Sequence, residues 1–62
     1  MTLTLKIRMD NEAFTTGHEL ECARILKQFS DRIVNDLTLS IGDEYPLMDS
    51  NGNTCGTVKV TR

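Results

Sequence analysis

Residues 44–60 read EYPLMDSNGNTCGTVKV, two apolar runs on either side of an Asn51-Gly52 pair. Asn-Gly between such runs is the strongest short-range signal for a β-hairpin, because a tight hairpin turn needs positive φ angles that these two residues tolerate best. Matching the faces fixes the expected register. A two-residue turn at Asn51-Gly52 sets Tyr45 opposite Val58, Leu47 opposite Gly56 and Glu44 opposite Lys59. Apolar residues then share one face, and an ion pair falls on the other. A three-residue loop with Gly52 as a bulge would set Glu44 opposite Val58 and mix the faces, an arrangement the period of two disfavours. The two-residue turn, or a four-residue loop in the same register, is therefore expected.

The same stretch offers Asp49, Asn51 and Asn53 at alternate positions, which resembles the start of a calcium loop. The spacing does not fit. An EF-hand loop places glycine after its third ligand and a bidentate Glu at its twelfth position. Here Gly52 precedes Asn53, and the twelfth residue counted from Asp49 is Val60. The stretch is read as a turn.

Upstream of the hairpin, Thr2–Met9 (TLTLKIRM) alternates strictly. Leu3, Leu5, Ile7 and Met9 take one face and Thr2, Thr4, Lys6 and Arg8 the other, the pattern of a half-buried strand. Asp10–Gly17 is a polar loop that sends Phe14 into the core. Thr16 and Glu19 have the spacing of a capping box for a helix that follows. From His18 to about Leu37, the positions Cys22, Ile25/Leu26, Phe29, Ile33 and Leu37 step by three and four, so they form one helical stripe. Glu21 with Arg24 and Lys27 with Asp31 are opposite charges at helical spacing. Leu37–Gly42 (LTLSIG) leaves three readings open: a helix tail, an extra short strand, or a loop with three apolar anchors. The loop is preferred.

The order strand, helix, strand, strand predicts an α+β domain of β-α-β-β type. One helix packs on a three-stranded antiparallel sheet with the C-terminal strand in the middle, a placement that avoids parallel pairing. The expected core is Leu3, Leu5, Ile7, Phe14, Ala23, Leu26, Phe29, Ile33, Tyr45, Leu47, Val58 and Val60.

The chain has 62 residues, enough for one domain with a small core. With 39% apolar and 26% charged residues it has the balance of a globular domain rather than a disordered one. No apolar run approaches the roughly 18 residues of a membrane span. The two cysteines, Cys22 and Cys55, follow no signal peptide, so a reducing cytoplasm without disulfides is expected. One histidine and two scattered cysteines supply no zinc spacing, and neither metal nor cofactor is expected. The net charge of −2 exerts no general pull toward nucleic acid. For so short a chain, self-association is the remaining aid to stability, through the edge of the first strand or the outer sheet face.

No phosphate-binding glycine loop, carboxylate pair or nucleophile elbow is present, and an enzyme is not expected. His18 and Cys22 stand four apart at a helix start, where the dipole would activate a thiol. Cys22 also lies on the apolar stripe, where a thiol is a small hydrophobe. Cys55 is expected on the outer, more exposed sheet face. Thr4, Lys6, Arg8, Thr57, Lys59 and Thr61 should share that face. Its three cations could contact phosphates, but it has no aromatic residue on which a base would stack. The mixed helix face of Arg24, Gln28, Asp31 and Arg32 offers a second surface, better suited to a protein partner.

Three stretches carry a resemblance. Asp10-Asn11 with Ala13-Phe14, then Glu21 with Ala23-Arg24-Ile25-Leu26, then Asp49 with Asn51-Gly52-Asn53 and Gly56 match the patterns DNxAF, ExARIL and DxNGNxVG. The chain thereby resembles a loose group of short bacteriophage and prophage hypothetical proteins. Cys55 stands where that group has valine, and Leu37–Gly42 lacks its glycine-rich linker. The resemblance implies a phage origin and an accessory role in the host bacterial cytoplasm. It transfers no catalytic residue. The partner expected for the exposed edge and the mixed helix face is an unidentified host or phage protein.

Overall fold

The structure, a computed structural model, describes residues 1–15 and 17–62. Strand β1 (Thr2–Ile7) leads into a 3-10 turn (Glu12–Phe14). Helix α1 (His18–Asn35) follows, then strands β2 (Glu44–Met48) and β3 (Thr54–Thr61). The sheet order is β1-β3-β2, antiparallel throughout, so the expected α+β architecture and the central position of the last strand are both found. No helix among the described residues is long and apolar enough to cross a membrane.

Alternation in β1 works as the sequence dictates. Leu3, Leu5 and Ile7 lie opposite Val60, Val58 and Gly56 on the helix-covered face, while Thr4 and Lys6 lie opposite Lys59 and Thr57 on the other. Gly56 has to be glycine for a steric reason. A Cβ there would come within 2.1 Å of the Lys6 carbonyl oxygen.

The hairpin keeps the expected pairs Glu44–Lys59, Tyr45–Val58 and Leu47–Gly56. It does so by a different route from the two-residue turn. The Asp49 N–H donates to the Asn53 carbonyl (2.9 Å) and the Gly52 N–H to the Asp49 carbonyl (3.1 Å). Ser50, Asn51 and Gly52 thus form a three-residue loop, with Gly52 at a φ of 84°. That loop alone would shift the register by one. Met48 pairs with Thr54, Leu47 pairs with Gly56, and Cys55 is the extra residue between them. The bulge cancels the shift of the loop. It also turns Cys55 inward, to 1% exposure, and corrects its expected place on the outer face.

Phe14, Ile25, Phe29, Leu47, Cys55 and Val58 form the buried cluster, with Leu5, Ile7, Cys22, Ile33, Leu37, Leu39 and Tyr45 packed against it. Leu3, Ala23 and Leu26, expected in the core, are exposed. The stripe of α1 centres on Ile25 and Phe29, and the helix leans toward β2, so the β1 side of the inner face is left partly open. Residues 36–43 form a loop, as preferred, but it anchors through Leu37 and Leu39 alone, since Ile41 is exposed. The Tyr45 hydroxyl donates to the Thr38 carbonyl (2.8 Å) and holds that loop against the sheet. Gly17 occupies the position before the first turn of α1, without a side-chain cap; the Thr16 half of the expected capping box lies outside the described residues.

Candidate functional site

The three sequence stretches that carry the resemblance meet in space, around two buried acids. Asp49 is 5% exposed and Glu21 8%. One Asp49 oxygen accepts from the N–H groups of Asn51 and Asn53 (both 2.9 Å), and the other accepts from the Asn11 side-chain amide (2.7 Å). Asn11 in turn caps the 3-10 turn, its Oδ1 accepting from the Ala13 N–H (3.1 Å). Glu21 receives a bidentate bond from the Arg24 guanidinium (2.9 Å on each oxygen) and a third from the Ser50 N–H (2.7 Å). Arg24 also reaches the Gln28 side chain (3.3 Å) and the Met48 carbonyl (3.4 Å).

No buried side-chain polar atom among the described residues lacks a partner. The arrangement is a junction. It fixes the hairpin loop to the helix start through Glu21–Ser50 and to the first loop through Asp49–Asn11. The Glu21–Arg24 pair, expected as one of two opposite-charge helical pairs, is thus the largest departure from its sequence reading. A bidentate guanidinium–carboxylate contact is of the stronger kind. Asp49 carries its charge into backbone N–H groups of its own turn, the geometry of an Asx turn, so the alternating Asp49, Asn51 and Asn53 build a loop. Among the described residues, no group of three His, Cys, Asp or Glu is placed to hold a metal ion.

The Arg24 guanidinium, aided by the Ser50 N–H and opposed by burial, lowers the Glu21 carboxyl from 4.5 to about 2. A carboxyl whose pKa is depressed on folding stabilises the fold above its unfolded value, and that stabilisation fades as pH drops toward the folded value. The melting temperature should therefore decline as pH falls from about 4.5 to about 2. Glu21→Gln should melt lower at neutral pH and lose this part of the slope, as followed by circular dichroism. An unchanged slope would assign the acid sensitivity to other groups.

Neither thiol is set up as a nucleophile. Burial, then the nearby Asp49 charge, pushes the Cys55 thiol up, opposite to what activation requires. Cys22 is half-buried against the core, and His18 is engaged with Glu19 (2.7 Å).

Lys6, Arg8 and Lys59 do share the outer sheet face. Lys6 and Arg8 line a shallow groove with Thr54, Gly56 and Thr57, and Lys6 and Lys59 line another with Thr4 and Thr57. Lys59 is partly neutralised by Glu44 at 3.4 Å. The helix residues are divided. Gln28 and Arg32 border a cleft between α1 and β2, floored by Ile25, Phe29 and Leu47 and closed by Pro46 and Met48. The Arg32 guanidinium sits 5.9 Å over the Phe29 ring. Arg24 is held in the junction nearby. Asp31 shares the polar side of α1, about 20° from Arg24 in helical phase, but faces away from Phe29 and does not border the cleft.

No protein-family model, curated protein or solved structure matches this chain.

Proposed function

We propose that this chain is a small, non-enzymatic phage accessory protein that acts by binding another protein in the host bacterial cytoplasm, as a host-takeover or counter-defence factor. The observation that carries the binding reading is the cleft between α1 and β2. It combines an apolar floor with the exposed Gln28 and Arg32 at its rim. Among the described residues Arg32 has no carboxylate partner, so a partner segment offering an apolar side chain beside a carboxylate fits its chemistry. The phage context rests on the three resembling stretches. The absence of catalytic work rests on a raised, buried thiol and on two acids fully engaged with donors.

The test compares wild type with Arg32→Glu in captures from bacterial lysate. One species enriched by the wild type and lost with the variant is the expected result. Nothing above background, or equal recovery by both, counts against the reading.

The alternative is a nucleic-acid-binding module using Lys6, Arg8 and Lys59, favoured by their common face and grooves. It requires mobility shifts at low salt that disappear on charge reversal at these three positions. No binding at low salt ends it.

A further inference from the structure

The two strands that border the sheet differ in how their open edges are protected. On the β2 side, the Val60 N–H donates to the Asp43 carbonyl (3.0 Å) and the Gly42 N–H to the Val60 carbonyl (2.9 Å). This phase makes Tyr45 and Leu47 face β3, and it leaves the backbone of Glu44, Pro46 and Met48 on the open side. Pro46 has no N–H to offer there, and the Met48 carbonyl is taken by Arg24 at 3.4 Å. A proline on the outer side of an edge strand is a standard protection against pairing.

The β1 edge has no proline, and Lys6 is its one charged residue. The Arg8 N–H donates to the Cys55 carbonyl (2.8 Å), so Thr2, Thr4, Lys6 and Arg8 turn their backbone toward β3. Leu3, Leu5 and Ile7 therefore present N–H and carbonyl groups outward. Next to this edge the inner face is incompletely covered. Leu3 is 47% exposed, and so is Leu26 at 46%, on the flank of α1 away from the Gln28 and Arg32 side that meets β2.

We infer that the occupant of this edge is a second copy of the chain, with the two β1 strands antiparallel about a two-fold axis at Leu5. In that register Leu3 pairs with the partner's Ile7, Leu5 with the partner's Leu5, and Ile7 with the partner's Leu3. Each outward N–H then meets a carbonyl. The two sheets join into one of six strands, and the exposed Leu3 side chains gain apolar neighbours across the seam. On the outer face Thr4 meets the partner's Lys6 and Thr2 meets the partner's Arg8, so no cation lies opposite a cation. A register shifted one way sets Lys6 against the partner's Lys6. Shifted the other way, it pairs Ile7 with Met1, so only two of the three outward-facing residues, Leu3 and Leu5, find partners within the strand. The charge pattern and the backbone phase select the same alignment. This self-pairing uses neither the α1–β2 cleft nor its rim, so it stands independently of the proposed partner binding.

Sedimentation equilibrium of the full chain should give twice the 7.0 kDa chain mass, dissociating on dilution. Thr4→Lys places two lysine pairs across the seam by symmetry and should weaken the dimer about tenfold while circular dichroism shows the fold retained. Thr4→Cys combined with Lys6→Cys should give a disulfide-linked dimer on mild oxidation, because these positions face each other across the axis. Thr2→Cys combined with Thr4→Cys, out of register, should not. Arg32→Glu should dimerise like the wild type. A wild type that stays monomeric up to millimolar concentration overturns the inference, as does a dimer that Thr4→Lys leaves unaffected and the in-register cysteines do not trap.

Discussion

Gly56→Ala should leave no cooperatively folded protein. The added methyl group would lie 2.1 Å from the Lys6 carbonyl oxygen and 3.1 Å from the Ile7 Cα, both of them backbone. No rotamer change can relieve a clash between two main chains, so β1 and β3 would have to part where their ladder runs on to Arg8. Overpacking a flexible core costs about 1–3 kcal/mol, and a rigid backbone collision should exceed that, at about 4 kcal/mol or more. Domains of this length have little stability in reserve. Far-UV circular dichroism and urea titration would show a disordered chain or a midpoint near zero denaturant. Gly52→Ala is the informative contrast. Its φ of 84° strains any side chain, but its Cβ would meet nothing within 4 Å, so about 1 kcal/mol is expected. If both variants lose the same small amount, the close approach at Gly56 is not what fixes that residue.

Asp49→Ala should be the second most damaging substitution, near 3 kcal/mol. It removes the acceptor for the Asn51 and Asn53 N–H groups and for the Asn11 amide at once. Bonds to a charged acceptor contribute about 1.5–3 kcal/mol each, but the loop tip is exposed and water can reach the freed N–H groups, which keeps the total well below the sum. Asp49→Asn retains the oxygen serving the turn and sets its own amide against that of Asn11. An intermediate loss of about 1–2 kcal/mol follows. Combining Asp49→Ala with Asn11→Ala should fall short of additivity by about 1 kcal/mol, since both remove one shared bond. Strict additivity would mean that the Asn11–Asp49 contact does not bind the first loop to the hairpin.

The sequence made the elements and their order readable because each obeys a single period. Leu3, Leu5 and Ile7 alternate, Cys22 to Ile33 step by three and four, and the Asn51-Gly52 pair marks the reversal. The basic outer face followed from the same alternation. Cys55 was misplaced because a bulge is invisible to a period of two. Only the apolar character of Cys55 next to Gly56 hinted that both belonged inside. Leu3 and Leu26 were misplaced for a different reason, since periodicity gives the face of an element but not where the helix axis lies over the sheet. The junction was legible in part. Asp followed two residues later by Asn-Gly is the signature of an Asx-capped turn, so the Asp49 role could have been found. Nothing local showed that Glu21, 29 residues away, would hold the Ser50 N–H.

The central strand has a kinetic consequence. Helix α1 and the β2–β3 hairpin form from contacts close along the chain, whereas every pair of the β1–β3 ladder joins opposite ends of it, from Ile7–Gly56 to Thr2–Thr61. Closing such a loop costs entropy before any contact repays it, so docking of β1 should come late and set the folding rate. Until then β1 is a strand with two open edges and a row of uncovered leucines. The interval between hairpin formation and ladder closure is when this chain is most exposed to mispairing, and Lys6 and Arg8 in and beside that strand give it charge to resist aggregation during the wait.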